Sequence, residues 1–296
     1  MLTALFVATR ILANPLSNLF QKQLTQRSAH PVFIIATVYA LLAAACLPFV
    51  LPPDAPPGPQ VWIEMGICAA FAVAGNVLLV FALKSADLSV LGPINAYKSV
   101  ISLILGFFLI GERPTAMGAA GILLILVGSY FVVDEGGADR PRRNAFVQFF
   151  RERGIQLRFA ALGLSATEAV FLKRAILLSS PWTTFVLWSI LGLPIAAIAV
   201  VLFLRKQAAH EAIVLQTEWR TYLALAVTTG LMQLSTVLTF GQLQVGYSLA
   251  LFQLSTVISV LLGYRYFQER RIRKRLAGSI VMGAGAVLIV MFGARP

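Results

Sequence analysis

Ten apolar runs of spanning length follow one another along the chain, near residues 2–21, 31–51, 61–83, 88–110 and 115–134, then 157–178, 182–204, 220–242, 247–267 and 276–293. A bilayer core takes a helix of about 20 residues, so this pattern predicts an all-α polytopic membrane protein with ten transmembrane helices. Polar stretches end the runs for ordinary reasons. LPPDAPPGPQ (51–60) holds too much Pro and Gly for a helix, and Pro114 suits the first turn of the fifth span. The opening MLTALFVATRIL lacks a basic n-region and reads as the first span, not as a cleaved signal.

The runs repeat. Residues 100–133 align without a gap on 257–290, offset by 157, with eleven of 34 positions identical. The identities include Ser102/Ser259, Gly106/Gly263, Glu112/Glu269, Arg113/Arg270, Gly121/Gly278 and Gly128/Gly285. Five spans is an odd number, so the second copy must enter the membrane from the opposite side. The expected architecture is two five-helix inverted-topology repeats, residues 1–134 and 157–296, joined by a basic linker at 135–156. Such repeats place a substrate site at their interface near the midplane. In the linker, Phe146, Phe149 and Phe150 with Arg143, Arg151 and Arg153 read either as a short helix on the membrane surface or as a solvated connection.

Composition agrees: 58% apolar, 12% charged, mean hydropathy +0.82, against about a quarter charged in soluble domains. The net charge of +12 does not point to nucleic acid, because the basic residues crowd into gaps between spans. Connections after the odd-numbered runs hold eighteen Lys and Arg, the other side four. By the positive-inside rule that puts 135–156 in the cytoplasm and both termini outside. A plasma-membrane location, the inner membrane of a bacterium, is expected. Cys46 and Cys68 fall within apolar runs, and His30 and His210 lie in connections, so neither a disulfide framework nor a His/Cys metal cluster is expected.

Charges inside spans carry the chemistry, since burying one costs roughly 2.5–3.5 kcal/mol on insertion scales. Three sit well inside: Arg10, Lys98 and Glu168. Leu91, Asn95, Lys98 and Ser102 share one helix face, which lines a substrate pathway or, alternatively, holds Lys98 in a structural ion pair with Glu168. Asn14, Ser17 and Gln21 continue the face of Arg10. Asn76 and Gln233 match at the same 157 offset, as cavity wall or as interhelical contact. Gln253, Ser255, Thr256 and Ser259 form a polar stretch in the ninth span; Tyr97, Trp182 and Trp188 are candidates for pocket walls, with Trp182 better placed as an interface anchor. The candidate substrate ligands are therefore Lys98, Asn95, Ser102, Arg10, Asn14, Asn76, Gln233, Gln253 and Thr256. Glu168 is the candidate for proton coupling. Glu112 and Glu269 sit at helix-to-helix turns, where a carboxylate caps the N-terminus of the next helix.

At the paired segments the chain resembles the EamA-like family of the drug/metabolite transporter superfamily. The likeness rests on FALKSADLSVLGPINAYKSVISLILGFFLIGERPTAMGAAGILLILVGSYFV in the first half and TFGQLQVGYSLALFQLSTVISVLLGYRYFQERRIRKRLAGSIVMGAGAVLIV in the second. It implies ten helices, a central cavity and alternating access, and leaves the cargo open. Two features depart from it: the family is drawn with cytoplasmic termini, against the charge count, and the second copy reads QERRIR where the first has GERPT. The expected function is secondary transport of a small polar metabolite carrying an anionic group: an organic acid, amino acid or phosphorylated metabolite. Export of drugs or neutral solutes is the alternative, and a non-transporting sensor or assembly partner the alternative of another class. No nucleophile motif, cofactor site or ATP-binding loop is present in the sequence, so it is not read as an enzyme, and energy would come from proton coupling or exchange. The expected partners are a small-molecule substrate and membrane lipid.

Overall fold

The structure, a computed structural model, describes residues 2–49, 57–98, 100–101, 113–132, 150–205, 207–243, 245–269, 272–292 and 294–295. Its helices are α1 (Leu2–Gln26), α2 (Pro31–Cys46), α3 (Pro59–Ser85), α4 (Leu88–Ile94), α5 (Ala116–Val132), α6 (Arg153–Leu178), α7 (Pro181–Leu204), α8 (Ala208–Thr217), α9 (Trp219–Gln242), α10 (Val245–Phe252), α11 (Ser255–Phe267) and α12 (Ile272–Phe292). A two-residue antiparallel pairing, β1 (Arg113–Pro114) with β2 (Ala294–Arg295), ties the loop before α5 to the end of α12.

Proline sets several starts. Pro31, Pro59 and Pro181 each stand in the first turn of their helix, where no N–H is needed. His30 accepts from the Val32 N–H at 3.3 Å and Ser180 from the Thr183 N–H at 3.1 Å, satisfying donors that helix geometry leaves open. Among the described residues, Pro31–Phe49, Pro59–Ser85, Pro181–Leu204 and Trp219–Gln242 are long and apolar enough to cross a membrane. The 25-residue α1 and 26-residue α6 have the length but also carry inward charges. Large side chains such as Leu123, Leu177, Val201, Leu202 and Phe203 stand exposed on the outside of the bundle. That belt suits hydrocarbon, not water.

Helices of the first half pack mainly on helices of the second: α1 on α9, α2 on α7, α3 on α6, α4 on α11 and α5 on α12. Each of these pairs is antiparallel. Along α1 and α9, Thr3 bonds to Gln242, Arg10 to Thr236 and Ser17 to Thr229. Along α5 and α12, Thr115 bonds to the Phe292 carbonyl at one end while Gly128 meets Gly278 at the other. The duplicated glycines face each other crosswise: a Cβ on Gly121 would lie 2.7 Å from the Gly285 carbonyl, and one on Gly128 2.8 Å from that of Gly278. Only glycine permits so close an approach.

The helix ends fall into two layers. One gathers the α1–α2 turn, the end of α3, the start of α4, α8 and the α11–α12 turn, joined by Lys22–Glu269 (2.8 Å), Arg275–Asp87 (2.9 Å) and the His30 N–H to Glu211 (3.1 Å). The other gathers the end of α2, the start of α3, the end of α6 and the start of α7, joined by Glu64–Arg174 (2.7 Å) and the Phe49–Trp182 ring contact.

Two apolar runs are not continuous helices, contrary to expectation. The fourth breaks at Asn95–Ala96, after α4, and the ninth at Gln253–Leu254, between α10 and α11. In the first, Pro93 has no N–H and Gly92 adds freedom. The second has neither residue. The sixth run starts earlier than expected, at Arg153.

Candidate functional site

Both breaks are tight turns. Asn95 N–H donates to the Gly92 carbonyl (3.0 Å), Ala96 to Pro93 (2.9 Å), Leu254 to Leu251 (3.2 Å) and Thr256 to Gln253 (2.9 Å), three residues back in each case. Carbonyls released from the helical ladder need other partners. At the first break the Arg158 Nε donates to the Leu91 carbonyl (3.2 Å) and its Nη2 to Asn95 Oδ1 (3.1 Å). At the second, Ser255 Oγ donates to the Phe252 carbonyl (2.6 Å) and Thr256 Oγ1 to that of Gln253 (2.8 Å). One break is thus held by a cation, the other by hydroxyls.

Beside the breaks lies a cavity of about 120 Å³. Its wall includes Arg10, Asn14, Gln21, Asn76, Asn95 and Lys98 from the first half. Arg158, Glu168, Gln233 and Gln253 come from the second, with Trp188, Phe240 and Phe252 as apolar surface. Arg10 is fixed by Nε donating to Thr236 Oγ1 at 2.7 Å and by stacking 5.0 Å over the Phe252 ring. Asn14 Nδ2 donates to Ser255 Oγ at 3.4 Å. Asn76 Nδ2 returns to the Ala72 carbonyl of its own helix at 2.9 Å. Glu168 Oε1 accepts from Trp188 Nε1 at 3.1 Å.

Four buried polar atoms of this wall have no partner among the described residues: Arg10 Nη1, Gln21 Oε1, Gln233 Nε2 and Gln253 Oε1. Buried polar groups are normally satisfied, and each one left open is costly. Two donors and two acceptors left open around one space suit a polar guest.

Eight of the ten sequence candidates come together here: Lys98, Asn95, Arg10, Asn14, Asn76, Gln233, Gln253 and Glu168. Ser102 lies outside the described residues, as do Glu112, Phe146 and Phe149. Thr256 is buried beside the cavity, but its hydroxyl is taken by the break. Trp188 lines the cavity; Tyr97 does not, and packs edge-on against Phe159 at 5.0 Å. The expected alternative of a direct Lys98–Glu168 ion pair is not formed: among the described residues no carboxylate lies within 4 Å of Lys98.

The eighteen basic residues of the sequence count include Arg158 and Lys22 as connection residues; the structure instead buries Arg158 within α6. The signal was present, since Arg158, Ser165, Glu168 and Leu172 share a helical face once the helix is started at Arg153. Lys22, also counted in a connection, is buried in the last turns of α1.

Glu269 requires a second correction. It does not cap the helix that follows it. Its Oε1 accepts from the Leu88 N–H and its Oε2 from the Ser89 N–H, both at 2.8 Å, so it caps α4 in the other half. Lys22 Nζ joins Oε1 at 2.8 Å and Arg275 lies 3.6 Å from Oε2. Burial pushes this carboxyl up, but the Lys22 charge and the hydrogen bonds from Lys22 and Ser89 outweigh it and hold it below the usual carboxylate range.

Long apolar helices around a polar, partly unsatisfied cavity fit a multi-pass membrane protein. Residues 2–134 match the EamA-like transporter family. Over that stretch the chain is similar to a family of membrane transporters. A solved crystal structure is similar over its length, with a TM-score of 0.65 at 18% identity, covering 98% of this chain and 96% of that one. At that identity the likeness is one of fold. No curated protein matches the chain.

Proposed function

We propose that this transporter moves a small polar metabolite with an anionic group by alternating access, through ten spans arranged as inverted repeats of residues 1–134 and 157–296. The antiparallel pairing of α2 with α7, α4 with α11 and α5 with α12, and the crossed pairing of α1 with α9 and α3 with α6, support a two-fold relation of the halves within the membrane plane. The observation that carries the cargo reading is the cavity at the two broken helices. It holds three cations and one carboxylate among its described residues, with four polar atoms left open. Discontinuous helices are where such repeats bind their cargo.

Lys98 is the proposed ligand of the anionic group, because its ammonium is held by no protein partner among the described residues. Asn95, Asn14, Asn76, Gln233 and Gln253 supply hydrogen bonds, and Arg10 its open Nη1. Glu168 is the proposed site of any proton exchange. Energy would come from a gradient or from exchange. Uptake into proteoliposomes tests this. Lys98→Ala is expected to abolish flux while leaving insertion intact and without lowering the melting temperature; wild-type flux in the variant would remove Lys98 from the site.

A further inference from the structure

The cavity sits deep in a bundle whose outer surface is apolar, so charge inside it must be balanced. Among its described lining residues the ionisable ones are Arg10, Lys98, Arg158 and Glu168. None of the three cations forms an ion pair with a carboxylate among the described residues. The described residues of the wall therefore carry two positive charges in excess. Arg158 and Lys98 stand at and just beyond the first break, where Arg158 grips Leu91 and Asn95. Arg10 stands at the second, over the Phe252 ring.

We infer that the substrate is a small dianion, a dicarboxylate or a phosphoryl compound, with its negative charge shared between the two helix breaks. This rests on the cavity being the transport site. A monoanion would leave one cation uncompensated away from water, and a neutral or cationic solute would leave two or more. Arg158 is already committed to the break, so Lys98 and Arg10 offer the free donors.

The test is thermal unfolding of the purified full-length protein in detergent, with probes matched in shape and differing in charge. They are succinate, its monoamide and its diamide; phosphate against dimethyl phosphate; sulfate; and tetraethylammonium. Ligands that bind the folded state raise the melting temperature. Dianions are expected to act at concentrations at least about tenfold lower than their monoanionic partners. Lys98→Met should erase most of that preference and, without ligand, melt higher than wild type, because it removes an unbalanced charge. Lys98→Arg should keep the preference. Equal stabilisation by mono- and dianions overturns the dianion while sparing the anion reading. Stabilisation only by the diamide or by tetraethylammonium overturns both. No response to any dianion overturns the inference, since sulfate is small enough to enter. A lower melting temperature in both Lys98→Met and Arg10→Met also overturns it, because the charges would then be balanced within the protein.

Discussion

Glu269 holds four groups from three other elements, and its carboxylate must be ionised to do so. Two backbone N–H groups of α4, the Lys22 ammonium and the nearby Arg275 converge on it. Removing one partner of a buried pair costs on the order of 3–5 kcal/mol, so Glu269→Ala should lower the melting temperature sharply. The folded carboxyl is depressed below its unfolded value. Its contribution is therefore full above the unfolded pKa and is lost as pH falls through the folded one. Acid unfolding curves of wild type and Glu269→Gln should converge at low pH and diverge above it. Parallel curves would show that the cluster contributes little.

At the scale of elements, the contact of α5 with α12 depends on glycine. A Cβ on Gly121 would meet the Gly285 carbonyl at 2.7 Å and one on Gly285 would meet that of Gly121 at 2.6 Å. Backbone cannot turn aside as a side-chain tip can. Gly121→Leu should separate the helices and cost at least about 1–3 kcal/mol, read as a lower melting temperature. Gly163, with nothing near its Cβ position, is the matched control, and Gly163→Leu should melt near wild type. The broken helices show the limit of local reading. Pro93 and Gly92 foretell the first break, whereas PheGlnLeuSer at 252–255 carries no such mark. That break exists because Ser255 and Thr256 hydroxyls satisfy the carbonyls it frees.

For the whole molecule, the two layers of helix ends predict which connections share a side. With Cys46 and Cys68, both buried, replaced by alanine, Arg27→Cys and Leu47→Cys should label from opposite faces with a membrane-impermeant maleimide. If the basic layer is cytoplasmic, only Leu47→Cys labels in intact cells. Labelling of Arg27→Cys alone would support the orientation with cytoplasmic termini. Labelling of both from one face would overturn the layer arrangement.

Hydropathy is a sum over neighbours in sequence, so ten apolar runs, their duplication and the intramembrane Arg10, Lys98 and Glu168 were legible in the chain itself. So was the shared face of Asn95 and Lys98, because helical spacing alone puts them together. The partners were not. Glu269 reaches residues about 180 positions away, Arg158 closes a break 63 and 67 positions earlier, and the open polar atoms share one space only once α1, α9 and the α10–α11 turn meet. Those pairings depend on which helix lies against which. Tertiary packing decided them, because a buried polar group accepts whatever partner the fold delivers, and spacing along the chain does not record that choice.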